Sequence, residues 1–260
     1  MHRSRQTRIT SLEPDSTKPA TDTRMTALEG PARADDVRRM FDRIAPRYDL
    51  LNTLMTLGRD RAWRRETIRR LRIDGGIRLL DLGAGTGDLA LEARRRNPAA
   101  RVAAADFAPE MIRLARKRQG AAAVGWLISD ALHLPFAAET FDSVVSGFLL
   151  RNVTDRDRAL TEQYRVLRRG GRLACLDTTP AQPGPLRPLL DFYLRRVIPM
   201  LGRLIAGDAE AYNYLPASTV RFLSAEELER RLMTAGFRGV GFVRRMFGTI
   251  AIHWGERPGQ

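Results

Sequence analysis

At 260 residues and 43% hydrophobic content the chain has the material for one large α/β domain with a real core, although length alone leaves two domains open. Its single cysteine, Cys175, excludes a disulfide framework and a thiolate metal site, and three scattered histidines give no metal ligand set to expect, all of which is compatible with a cytoplasmic protein. The formal charge of +14 comes almost wholly from arginines spread through every predicted helix without interleaved aromatics, which argues against a nucleic-acid platform and for a solvated surface with a weak pull toward anionic membrane.

Residues 1–33 are polar, mixed in charge and rich in Thr, Pro and Ser, and read as a disordered tail before a single domain at 34–257. Helical spacing of Val37, Met40, Phe41 and Ile44 predicts a helix over 34–47 that stops near Pro46, with short helices over 50–57 and 61–71, so that 34–72 forms an N-terminal helical segment. Strands at 78–82, 101–106, 124–129, 141–147 and 172–177 then alternate with helices at 87–96, 109–119 and 155–168, the pattern of a doubly wound parallel sheet.

The first of these strands ends in Asp81 and runs into Gly83, Gly85 and Gly87, a turn that brings a ligand against backbone at the carboxyl edge where the winding reverses. A dinucleotide turn would carry a third glycine one place later; here that place is Asp88, a carboxylate expected to repel a diphosphate. A donor with a sulfonium and an amino group, S-adenosylmethionine, suits the turn better. Asp106, at the end of the next strand, is placed to accept both ribose hydroxyls. Asp130 can accept from an adenine amino group while the Ala131 backbone meets the ring.

Beyond residue 177 the rhythm changes. Four prolines open an apolar tract at 186–206 that is broken by arginines and so is too short to cross a bilayer, and 180–215 reads as a helical insert, either packed on the sheet edge or closing as a lid over a greasy substrate. Ser224 and Glu227 form a capping box for a helix ending at Gly236, and the runs 239–247 and 249–254 predict a closing antiparallel hairpin.

Read with the glycine turn, the segments Tyr-Asp-Leu-Leu-Asn at 48–52, Gly-Arg-Asp-Arg-Ala-Trp at 58–63, Phe-Leu-Leu-Arg-Asn-Val-Thr-Asp at 148–155, Arg-Val-Leu-Arg-Arg-Gly-Gly-Arg at 165–172 and Tyr-Asn-Tyr-Leu at 212–215 make the chain resemble the ubiquinone/menaquinone biosynthesis C-methyltransferases. The resemblance implies the seven-stranded, Rossmann-like class I methyltransferase sheet. It also implies methyl transfer from S-adenosylmethionine to a ring carbon of a polyprenylated quinol, demethylmenaquinol above all, at the inner face of the membrane. By the same resemblance Thr86 and Gly147 join the cofactor-binding positions, and Tyr48, Arg151 and Asn152 fall at the active site. There, Arg151 would stabilise the phenolate of the quinol or polarise a water, while Tyr48 and Asn152 orient its hydroxyls. Leu51 stands for the family's methionine, Asp60 for a histidine, and Asp177 with Thr179 for Glu and Ser, departures that bear on which quinol is used. His253 is the weaker candidate for a base and His133 reads as a loop histidine. Two alternatives stay open: methylation of another small hydrophobic or nucleic-acid substrate, and a non-catalytic S-adenosylmethionine-binding assembly protein. A homodimer is equally open.

Overall fold

Leu79 and Leu80 point to opposite sides of the same strand, and both are fully buried, so β1 (Arg78–Leu82) lies inside a sheet covered on both faces. The computed structural model describes residues 30–182, 184–185, 187–197, 200, 218 and 222–259. Most of the predicted tail, much of the predicted insert and the whole 212–215 segment lie outside those residues.

Two helices come first, α1 (Gly30–Met55) and α2 (Asp60–Arg69). After β1 the chain alternates through α3 (Asp88–Arg96), β2 (Arg101–Asp106), α4 (Pro109–Ala115) and β3 (Val124–Ile128). It continues as β4 (Phe141–Gly147), α5 (Arg156–Val166), β5 (Leu167–Thr178) and α6 (Arg187–Phe192), with α7 (Ala225–Thr234), β6 (Arg238–Arg245) and β7 (Ile250–Glu256) closing the fold. The seven strands form one sheet in the order β3-β2-β1-β4-β5-β7-β6. The pairs among β1 to β5 are parallel, and β7 is antiparallel to both β5 and β6, so the doubly wound sheet and its closing hairpin are as the sequence reading expects.

One face buries Leu80, Leu82 and Leu173 under α5 and α7, and the other buries Leu79, Val145 and Ala174 under α2 and α3. β1 pairs with β2 on one side and β4 on the other, which opens a crevice at their carboxyl ends.

Two elements depart from the sequence reading. The predicted break at Pro46 is absent: α1 is a single helix of 26 residues with the proline inside it, and it already begins at Gly30, within the stretch read as tail. A missing N–H and a ring clash cost about 3 kcal/mol in a helix interior, but the buried stripe Val37, Met40, Ile44 and Leu51 straddles the proline, and Ala45 packs on Ala108 and Met111. Tertiary burial overrides the local preference. β5 begins at Leu167, five residues ahead of the expected strand. It passes Gly170, in left-handed backbone at φ +70°, and Gly171, where a Cβ would stand 2.8 Å from the Arg168 carbonyl oxygen; the pairing with β4 shifts register there.

Candidate active site

The glycine turn leaves β1 with the Gly83 and Ala84 N–H groups donating to the Ala105 carbonyl, 2.8 and 3.0 Å away, which fastens it to the end of β2. Its glycines have different reasons to be there. At Gly87 a Cβ would come within 2.4 Å of the Trp126 ring, so this position is reserved for internal packing. At Gly85, φ +55°, the nearest atom is Tyr48 Cε1 at 3.8 Å, and the backbone faces an open cleft.

That cleft encloses about 840 Å³ including its open mouth, and it lies at the carboxyl ends of β1, β2 and β4. Tyr48, Gly83, Gly85, Asp106, Asp130, Ala131, Gly147 and Asn152 all line it, so most of the expected donor-binding positions and two of the three expected acceptor residues are brought together. Phe41, Phe107, Met111 and Leu132 complete apolar walls that single-sequence motifs did not mark.

Asp106 joins turn to strand: its Oδ2 accepts from Gly85 N–H at 2.7 Å and its Oδ1 from Ala108 N–H at 2.8 Å. Each carboxylate oxygen retains a second lone pair for a ligand hydroxyl. Burial pushes its pKa up, opposed by these backbone donors. Asp130 is half-buried, with Oδ1 accepting from Leu132 N–H at 2.9 Å. His133 is exposed beside it, in the loop where it was expected.

Asp81, Thr86, Gly87 and Arg151 do not line the cleft. Asp81 is fully buried, accepts from Ala90 N–H at 2.9 Å through Oδ2, and leaves Oδ1 without a hydrogen-bond partner. Burial pushes its pKa up to about 7. Thr86 is buried outside the cleft lining and donates to Asp49 Oδ1 at 2.6 Å.

Asp88 corrects the sequence argument. Its carboxylate points away from the cleft into a separate polar groove, paired with Arg118 Nη1 at 2.6 Å and Arg64 Nε at 3.3 Å, and so cannot repel a diphosphate in the cleft. The case for a cationic donor rests instead on the cleft itself. It offers a backbone cradle at Gly85, acceptors at Asp106 and Asp130 and apolar walls for a purine; among the described residues no lysine lines it, and the one arginine that does, Arg38, stands over the Phe107 ring, 5.7 Å from its centre.

On the acceptor side, β4 ends at Gly147 and Phe148 takes left-handed backbone at φ +57°, its N–H donating to Leu176 O at 2.7 Å while Asn152 Nδ2 donates to its carbonyl at 2.8 Å. This turn directs the Phe148 ring into the cleft wall between two buried guanidinium groups, Arg151 at 5.0 Å and Arg64 at 5.8 Å from the ring centre. Arg151 is therefore behind Phe148, with Nη1 3.6 Å from the buried Asp177 Oδ1. Both arginines act electrostatically on Tyr48, whose pKa is raised by burial and pulled back by Arg151, Asn52 and Arg64. Arg64 is the functional candidate that sequence reasoning missed. One arginine in a basic helix carries no local signal, and only the fold sets it against Asp60, Asp88 and Phe148. His253 lies on β7, away from the cleft, with Nε2 2.9 Å from Ala225 O and its pKa lowered by burial to about 4.

The ubiE/COQ5 methyltransferase family matches residues 29–257. A relative named ubiquinone/menaquinone biosynthesis C-methyltransferase from Desulfotalea psychrophila is 46% identical, covering 87% of this chain and 92% of its own. One named demethylmenaquinone methyltransferase from Thermus thermophilus is 45% identical, covering 84% of this chain and all of its own. Among solved structures, the cyclase SpnF superposes with TM-score 0.66 at 20% identity over 87% of this chain and 97% of its own. A SAM-dependent methyltransferase from Aquifex aeolicus superposes with TM-score 0.56 at 19% identity over 80% and 97%. These last two speak for the fold.

Proposed function

The chain belongs to the ubiE/COQ5 methyltransferase family, S-adenosylmethionine-dependent C-methyltransferases of quinone biosynthesis, and on that footing we propose that its cleft converts demethylmenaquinol to menaquinol by methylating a ring carbon. The observation that carries the reading is that one cleft is lined by the bare Gly85 backbone and Asp106 and also by Tyr48 and Asn152. A donor held at the first pair faces an acceptor held at the second.

When bound, S-adenosylmethionine supplies an electrophilic methyl group. Asp106 would accept hydrogen bonds from the ribose hydroxyls, Asp130 and the Ala131 backbone would hold the adenine, and the Gly85 main chain would leave room for the donor. Thr86 and Gly87 shape the turn from behind, as Asp81 and Gly147 do from the strand ends. Tyr48 and Asn152 orient the quinol hydroxyl, whose deprotonation makes the neighbouring ring carbon nucleophilic. Arg151 stabilises that negative charge from behind Phe148, through Tyr48 and the low-dielectric wall. The donor would supply the methyl group for that carbon: the C–C bond would form as the S–C bond broke, the neutral thioether S-adenosylhomocysteine would leave, and the ring proton would pass to water to restore aromaticity. Most of the acceleration comes from holding the two reactants in line in a cleft that excludes water.

The acceptor's polyprenyl tail places it in lipid, and the basic surface suits a transient encounter with an anionic membrane. Among the described residues no helix is long and apolar enough to cross one. The test is incubation with labelled S-adenosylmethionine and a panel of reduced quinones. Labelled menaquinol is the expected product; label on a benzoquinol alone would move the substrate, and no labelled quinol at all would overturn the reading.

A further inference from the structure

Five of the eight large apolar side chains exposed among the described residues come from three parts of the chain that contact one another. Leu50 and Leu54 are exposed one helical turn apart on α1, Leu57 at the tip of the following turn is 74% exposed, Phe192 ends α6, and Phe247 after β6 is 69% exposed. These residues come from three parts of the chain, and the contacts between those parts draw them to one rim. The Tyr193 hydroxyl, next to Phe192, donates to the Met55 carbonyl at 2.9 Å. Arg245, two places before Phe247, holds Glu66 of α2 at 2.6 and 2.9 Å, and Thr179 N–H donates to Thr249 O at 2.8 Å. Met246 and Phe148, which lines the cleft, pack against one buried cluster of Trp63, Leu176, Ile250 and Ile252, so the rim borders the cleft on its acceptor side.

Leu57 and Phe247 both sit in left-handed backbone, at φ +53° and +55°, an expensive way to place a large apolar side chain in water. The charge around them is one-sided. Between residues 57 and 66 the arginines 59, 61 and 65 are exposed, while the acids of the same stretch are engaged: Asp60 buried against Arg64, Glu66 with Arg245. Apolar tips followed in the chain by exposed cations match the two layers of an anionic lipid surface, acyl chains under phosphates.

We infer that this rim seats on an anionic lipid bilayer, with Leu57 and Phe247 entering the acyl boundary and the surrounding arginines meeting the headgroups, so that a tailed quinol passes from bilayer to cleft without crossing water. The use of the contact rests on the quinol-methylating reading; its existence does not.

The test is co-sedimentation of the full chain with vesicles of phosphatidylcholine, with and without phosphatidylglycerol. Binding to the anionic vesicles alone, weakening with salt, is expected. Leu57→Asp with Phe247→Asp lowers partitioning by about tenfold or more, and Arg61→Gln with Arg65→Gln by about fivefold per charge removed, both leaving donor affinity unchanged. Because Cys175 is buried, a Leu57→Cys variant takes an environment-sensitive fluorophore at that tip alone. Its emission shifts to the blue on anionic vesicles. The inference is overturned if the tip shows no shift, if the double Asp variant binds vesicles as wild type does, or if that variant changes only the oligomeric state, which would make the rim a contact between two copies. Vesicle binding without methylation of any quinol would sink the enzymatic reading and leave the membrane contact standing.

Discussion

Gly85 and Gly87 sit two residues apart in the same turn, and substitution should separate their roles. Valine at Gly85 puts a branched side chain where the donor would lie and meets only Tyr48 at 3.8 Å, so the protein should fold, at a strain of about 1–2 kcal/mol for the left-handed backbone, and lose donor affinity by about a hundredfold or more in calorimetry. Gly87→Val drives a Cβ toward Trp126 at 2.4 Å and should fail to give folded protein at all. Arg151 calls for a gentler probe. Its removal by Ala leaves Asp177 buried and unpaired, a loss of about 3–5 kcal/mol, whereas Arg151→Lys keeps the charge and gives up reach. Either variant should hold the donor nearly as wild type does while kcat falls by about a hundredfold or more; equal loss of donor affinity would remove Arg151 from the acceptor side. His253 acts on stability. Its folded pKa of about 4 lies below the ordinary 6.5, so the unfolded chain takes up the proton first, and folding loses stability as pH falls from 6.5 toward 4. The loss sums to roughly 3 kcal/mol at about 1.4 kcal/mol per pH unit, and urea titrations of His253→Gln against wild type over that window should show the slope reduced.

Pro46 in α1 gives the corresponding experiment on a helix. The ring is exposed, so Pro46→Ala sacrifices no packing, and restoring the N–H to a continuous helix should add about 2 kcal/mol after allowing for the looser unfolded chain, raising Tm by about 4–8 °C in a thermal melt. A lowered Tm would mean that the proline itself is what holds the 26-residue helix in place. That helix also shows what the sequence hides. The strands were legible because short stretches built around apolar pairs or runs, Leu79-Leu80, Val102 to Ala105 and Val144-Val145, alternate with helical patterns, and β1, β2 and β4 start and stop where the sequence reading puts them. Local rules failed where a distant partner decided: at Pro46, kept helical by packing on α4, and at Gly170 and Gly171, which look like a turn yet carry β5 onward past a bulge. The site divides in the same way. Gly85, Asp106 and Asp130 were readable because strand, turn and acid follow one another in the chain, whereas Arg64 reaches Phe148 from a helix eighty-four residues earlier and leaves no local trace.

Donor binding should be felt by the whole molecule, because the cleft is walled by the carboxyl ends of β1, β2 and β4 and by residues of α1. Asp42 Oδ1 on α1 accepts from Glu110 N–H at the start of α4, and Asp49 takes the Thr86 hydroxyl from the glycine turn, so the N-terminal helix is tied to the sheet on both sides of the cleft. The three tryptophans sample separate regions: Trp63 on α2, Trp126 against Gly87 on β3, and Trp254 on β7 under the Arg70 guanidinium. If these regions form one cooperative unit, tryptophan fluorescence and far-ultraviolet circular dichroism report the same melting curve. A donor at a hundred times its Kd adds about 2.7 kcal/mol, which raises Tm by about 5–10 °C for a chain of this size. Both signals should move together. A donor-induced rise seen by circular dichroism but split in the fluorescence would mean that α1 and the sheet unfold separately, and that the helix over the cleft opens without disturbing the strands that form its floor.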